Sequence, residues 1–190
     1  TYWLEAASLT LTITATTDQP TPMNIAAHPY WNLDGGKDVS GHQLQVLADR
    51  YLPTDAANLP TGEQRAVADT QFDFTTACNV PLDPELDVNF CLATALRQTP
   101  YPAARLTGAN GTTLDIATNA PGLQVYNGAF LPSFAPAVAS GPPVAPFSAI
   151  ALEPQHWPDA PNQRAFPSIT LQPQEIYRQI THYQLVKGSI

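Results

Sequence analysis

The ten residues "SLTLTITATT" (8–17) place Leu9, Leu11, Ile13 and Ala15 on one side of an extended chain, and Thr10, Thr12, Thr14 and Thr16 on the other. Strict alternation with β-branched residues predicts a strand with one polar face. The pattern recurs in "HQLQVLAD" (42–49), "NFCLAT" (89–94), "AARLTG" (103–108) and "TTLDIAT" (112–118). It recurs again in "LQVYNGAF" (123–130), "SAIALEP" (148–154) and "SITLQPQEIYRQITHYQLV" (168–186). Turn chemistry separates these runs at Asp34-Gly35-Gly36, Asn110-Gly111 and Ala120-Pro121-Gly122, and Asn110-Gly111 predicts a type I′ hairpin. Twenty prolines interrupt any sustained helical period, because proline fits poorly inside helices. At most one helical turn is expected near Asp55–Asn58 or Thr75–Cys78. Many short strands with regular turns predict an all-β chain built as an antiparallel β-sandwich. The Pro/Ala-rich stretch 131–148 is expected to be a surface loop rather than a linker. Residues 1–190 are expected to form one domain.

Composition narrows the function. Hydrophobic residues make up 44% of the chain, enough for a real core, while charged residues are only 13%, about half the usual share of ~25%. Eight scattered basic residues against 16 acidic ones give a net charge of -8. Such a surface offers no basic patch for phosphates, so nucleic acid is not an expected partner. No apolar run approaches the ~20 residues of a membrane helix, so no membrane is expected either. Cys78 and Cys91 stand thirteen apart and are expected to be free, buried thiols. No C-x-x-C or H-E-x-x-H spacing appears, so neither a metal nor a cofactor is expected. A secretory leader is not visible, yet a mature secreted chain would look the same. The compartment is left open, with the cytoplasm the expectation. The chain opens at Thr1 and reads as strand almost at once, as if in mid-domain.

Two distant segments hold the candidate chemistry. "TPMNIAAHPYWNLDG" (21–35) surrounds His28 with Asn24, Tyr30, Trp31 and Asn32. Pro29 pushes His28 toward an extended backbone at a strand end, where loops present functional groups. Aromatic rings beside amides suit a pyranose; the plainer reading is a half-buried histidine bonded to a loop carbonyl. "IALEPQHWPDAPNQ" (150–163) ends an apolar run on Glu153. A carboxylate there is costly to bury unless paired, and burial would raise its pKa and make it a better base near neutrality. The plainer reading is a rim glutamate, with Gln155, His156 and Asp159 forming a polar turn. Asp87 enters an apolar strand from an acidic loop and either binds hydroxyls or caps the turn; a Ca²⁺ loop would lack the glycine and terminal glutamate of an EF-hand. Gln124 and Tyr126 alternate onto one face of a strand. Arg164 could reach a carboxylate or phosphate, while His42 and His182 read as ordinary strand residues.

These residues resemble a known family. "TTDQPTPMNIAAHPYWNLDG", "LPTGEQRAV" with "TQFDF", "LDVNFCL", "APGLQVYNGAFL", and "ALEPQHWPDAPNQ" with "FPSITLQPQEIYRQ" are similar, in this order, to segments of the aldose 1-epimerase (galactose mutarotase) family. The resemblance implies a β-supersandwich and interconversion of the α and β anomers of free aldohexoses, galactose or glucose, with no cofactor. It implies Glu153 as the base that takes the anomeric proton and His28 as the acid that protonates the ring oxygen. Asp87 would hold substrate hydroxyls, and Gln124, Tyr126, Tyr30 and Asn24 would line the cleft. The family is longer, so residues 1–190 would be the C-terminal portion of its domain. Its N-terminal region supplies a second active-site histidine and a substrate-binding arginine that match no position here. A second chain or an N-terminal segment would then complete the sandwich, whether this chain is a fragment, a cleaved piece or a short natural form. The alternative function is a non-catalytic carbohydrate-binding or regulatory protein of the same fold. A glycoside hydrolase would need opposed carboxylates, such as Glu153 and Asp87. A hexose 6-phosphate epimerase would need more cation than Arg164 provides.

Overall fold

The computed structural model describes residues 1–83, 85–134 and 143–188. Fifteen strands follow in chain order: β1 (Tyr2–Glu5), β2 (Ser8–Ala15), β3 (Thr21–Pro22), β4 (Tyr30–Trp31), β5 (Gln43–Val46), β6 (Arg50–Leu52), β7 (Arg65–Ala66), β8 (Cys78–Asn79), β9 (Asp87–Cys91), β10 (Tyr101–Thr107), β11 (Thr113–Thr118), β12 (Gly122–Tyr126), β13 (Ile150–Gln155), β14 (Thr170–Leu171) and β15 (Tyr177–Val186). One sheet runs β1-β2-β15-β11-β10-β5-β8, a second runs β4-β13-β12-β9-β6-β7, and β14 pairs with β3. The pairings are antiparallel. The expected sandwich is therefore observed, and the described residues contain no helix. Asp55–Asn58 is a turn closed by the Asn58 N–H on the Asp55 carbonyl.

Period two explains the packing. Leu11 of β2, Tyr183 of β15, Leu114 and Ile116 of β11, Leu106 of β10, and Leu44 and Val46 of β5 meet Val88 and Phe90 of β9, Leu123 and Val125 of β12, and Ile150 and Leu152 of β13 in one core. Each sheet thus turns one face inward and leaves the alternate residues outside. A smaller cluster of Leu52, Trp157, Ala160 and Phe166 packs with Cys91. The run 168–186 divides into β14 and β15, because the Gln172 N–H bonds the Glu175 carboxylate in a turn at Pro173.

Two local expectations are corrected. The β10–β11 hairpin forms, but Gly111 alone has positive φ (+78°), whereas Asn110 does not. The Gly111 N–H bonds the Gly108 carbonyl and the Gly108 N–H bonds the Thr112 carbonyl, a type I turn followed by a glycine bulge rather than type I′. Asp34 favours this form by accepting the Ala109 and Asn110 N–H groups at 2.9 and 3.1 Å. Both thiols are free as expected, but Cys91 is only partly buried and Cys78 is exposed, the latter because β8 is a sheet edge. The loop 131–148 is closed at its base by a Phe134–Val144 bridge; residues 135–142 of that expectation lie outside the described residues. Replacing Leu123, wholly buried between the sheets, with Ala is expected to cost about 2–5 kcal/mol of stability in urea unfolding. A loss below ~1 kcal/mol would contradict a close-packed core there.

Candidate active site

The outward faces of β9, β12 and β13 carry the polar residues of three adjacent strands in register. Gln124 stands between Glu153 and Asn89, Tyr126 between Ala151 and Asp87, and Gly122 between Gln155 and Cys91. Inward-facing neighbours are apolar, so alternation alone sends Glu153, Gln124, Asn89, Asp87, Tyr126 and Gln155 to one surface. Gly122 is needed in this array: a Cβ there would meet Asn89 Oδ1 at 2.7 Å. The Gln124 amide donates to Asp87 Oδ1 at 2.6 Å, which fixes that carboxylate beside the strand entry. Tyr30 joins the same face through the pairing of β4 with β13 opposite Ala151.

His28 reaches this surface from the segment between β3 and β4. Its Nε2 lies 3.2 Å from Glu153 Oε1, with the imidazole half exposed and the carboxyl nearly enclosed. Anchors on both sides hold the segment. The Asn24 side chain donates to the His156 carbonyl at 3.2 Å and accepts the His156 N–H at 2.9 Å. The Asn32 side chain donates to the Ser148 carbonyl at 2.8 Å. The Tyr30 ring lies against His28 at 4.8 Å and presents an edge to Tyr126 at 6.5 Å.

Burial sets the electrostatics. Removal from water pushes the Glu153 carboxyl up from 4.5 to about 7, and the negative charge of Asp87 adds to the rise. The same environment raises Tyr30, through burial first and then Tyr126, Glu153 and Asp87. Glu153 therefore sits where a carboxyl exchanges its proton near neutral pH, in contact with an imidazole that can share it. This arrangement can move a proton between two oxygens of one small bound molecule.

The geometry brings together His28, Tyr30, Asp87, Gln124, Tyr126 and Glu153. It gives Asn24 a different place, since both ends of its amide are occupied by the His156 backbone; it orders the loop instead of lining the face. Asn32 is likewise a turn residue, and Trp31 packs on Tyr183 at 5.5 Å. Trp157 is buried with its Nε1 donating to the Pro121 carbonyl. Arg164 is exposed and forms no ion pair among the described residues. Asn89 and Gln155, each two positions from an expected site residue, complete the face; the period-two rule was the signal that identifies them. With Thr54, Asn58, Asp87 and Gln124 they border a cavity of about 200 Å³. Another cavity, about 650 Å³ beside Met23, Ile169 and Tyr177, includes none of Asp87, Asn89, Gln124 and Gln155, whereas the smaller one opens on the strand face that also carries Glu153. Among the described residues no three of His, Cys, Asp and Glu gather as a metal cage, and no helix is long and apolar enough to cross a membrane.

Comparison with known proteins gives consistent matches. The family model described as Aldose 1-epimerase matches residues 1–184. The galactose mutarotase of Rattus norvegicus is 36% identical, with 97% of this chain and 56% of that protein covered. The aldose 1-epimerase of Escherichia coli K12 is 35% identical, with 94% and 55% covered. A crystal structure of an aldose epimerase homologue from C. elegans superposes with a TM-score of 0.84 at 30% identity, covering 96% of this chain and 57% of that one. The chain spans little more than half the length of the curated relatives it matches.

Glu153 also makes stability pH-dependent. Its carboxyl binds a proton more tightly folded than unfolded. The contribution is therefore complete below about 4.5 and is lost as pH rises toward 7. Glu153→Gln, which keeps the shape without the charge, is expected to be more stable than wild type at pH 8, by on the order of a few kcal/mol. That gap should close toward pH 4.5 in urea titrations; a gap independent of pH would contradict the burial of a titrating carboxyl.

Proposed function

Because this chain belongs to the aldose 1-epimerase family, we propose that its protein interconverts the α and β anomers of free aldohexoses, galactose or glucose, with Glu153 as base and His28 as acid. The observation that carries this proposal is the 3.2 Å approach of His28 Nε2 to Glu153 Oε1. The anomeric hydroxyl and the ring oxygen of a pyranose are substituents of one carbon. An acid and a base serving them must therefore reach neighbouring oxygens, and a touching pair does so.

In the proposed cycle, Glu153 takes the proton of the anomeric hydroxyl while His28 delivers a proton to the ring oxygen. The C1–O5 bond breaks and leaves an open-chain aldehyde. Rotation about C1–C2 presents the other carbonyl face, and the O5 hydroxyl adds back as the two proton transfers reverse. Each step needs only a group that titrates near the working pH, which maximises both its availability and its driving force. Asp87, steadied by Gln124, accepts hydrogen bonds from sugar hydroxyls, and Tyr30 and Tyr126 offer ring surface beside them. The activity is proposed for the whole protein. The resemblance also implies a second histidine and an arginine, which a further segment or chain would add to the site.

Polarimetry on freshly dissolved α-glucose and α-galactose tests the proposal. Wild-type protein is expected to accelerate the drift to equilibrium, Glu153→Gln to abolish the acceleration, and His28→Asn to slow it by roughly 10²–10⁴-fold. As the base acts only when ionised, kcat/KM is expected to fall as pH drops below about 7. Wild-type rates in either variant would refute the assigned roles, and a protein that binds sugar without changing the drift would refute the activity.

A further inference from the structure

We propose that His42, outside the reacting pair, is a positioning residue: its Nε2 locks the strap carrying His28 against the strand carrying Glu153. The inference rests on the reading of those two residues as acid and base. His42 is fully buried and precedes β5, so it is not the ordinary strand residue that the sequence implied. Its Nε2 accepts the Leu33 N–H at 2.9 Å. In a neutral ring this places the proton on Nδ1. Nδ1 is enclosed without a hydrogen-bond partner, and Asp34 Oδ2 lies 3.6 Å away. Asp34 is itself held by the Ala109 and Asn110 N–H groups, and the Asn110 amide donates to the Leu33 carbonyl at 3.1 Å. The backbone beneath the ring is fixed too, because the His42 N–H bonds the Val39 carbonyl and its carbonyl accepts the Val80 N–H.

From this anchor the chain reaches His28 in a few residues. Leu33 follows Asn32, whose side chain bonds the Ser148 carbonyl just before β13. Tyr30 and Trp31 then pair with Ala151 and Ile150, and Ala151 lies two residues from Glu153. A two-residue strand holds poorly by itself, so its ends decide where it lies. Losing the Leu33 anchor would free the strap that carries His28 and Tyr30. The ring must also stay neutral, since an imidazolium would turn Nε2 from acceptor into a second donor facing the Leu33 N–H. Burial favours the neutral form; the charged groups facing it, Asp34 and Asp38, and the Val39 carbonyl oppose that preference.

The test uses the intact protein with two variants, His42→Gln, whose carbonyl oxygen can still accept the Leu33 N–H, and His42→Leu, which cannot. His42→Leu is expected to lower kcat by about 10²-fold, the cost of a displacement of about 1 Å at the reacting groups, with KM within about three-fold. His42→Gln is expected to restore kcat to within about three-fold of wild type. Ring-nitrogen NMR of the wild type is expected to find His42 protonated on Nδ1 and bare on Nε2. Wild-type kcat in the leucine variant, no rescue by glutamine, or a proton on Nε2 would each overturn the inference. Should the leucine variant not fold, the glutamine variant and the ring spectrum decide. The ring spectrum needs no turnover, so an inactive wild type would sink the functional reading and leave the anchor itself intact.

Discussion

A carboxyl group nearly removed from water at the end of an apolar strand is the constraint on which the structure turns. Ile150 and Leu152 must face the core for β13 to hold the two sheets together. Alternation then directs Glu153 to the opposite face. There the strap bearing His28 and the adjoining Gln124 flank it. Enclosure, with the Asp87 charge nearby, raises the proton affinity of Glu153, and the contact with His28 gives its proton a destination. Packing and proton chemistry are two consequences of the same strand.

The surrounding residues serve that arrangement from different distances. Gln124 ties Asp87 to the central strand at 2.6 Å. Asn24 and Asn32 fasten the strap on either side of His28 by imitating backbone partners. His42 and Asp34 extend the fastening to the β10–β11 turn. Asn24 and Asn32 thus order the loops, and the strand face is built from Glu, Gln, Asp, Tyr and Asn89.

The fold was legible in the sequence because period two survives in the long strands: 8–15, 101–107 and 113–118 are anticipated within a few residues, and 177–186 lies inside the expected run 168–186. The two- and three-residue strands β3, β4, β6, β7 and β8 were not, since so short a run carries no periodicity. The site was legible as residue types, and the convergence of His28 with Glu153 followed from the family resemblance, not from spacing. Asn24 and Trp31 were hard to place for one reason: amides and aromatics that satisfy backbone and core look the same in sequence as those that hold a sugar. His42 was passed over because a histidine beside a strand gives no sign that its ring replaces a backbone acceptor.

The central claim is that burial leaves Glu153 exchanging its proton near neutrality beside His28. A ¹³C NMR titration of the Glu153 side-chain carboxyl measures this directly in the free protein. The account predicts a midpoint of about 7. A midpoint near the ordinary glutamate value of ~4.3 would contradict it.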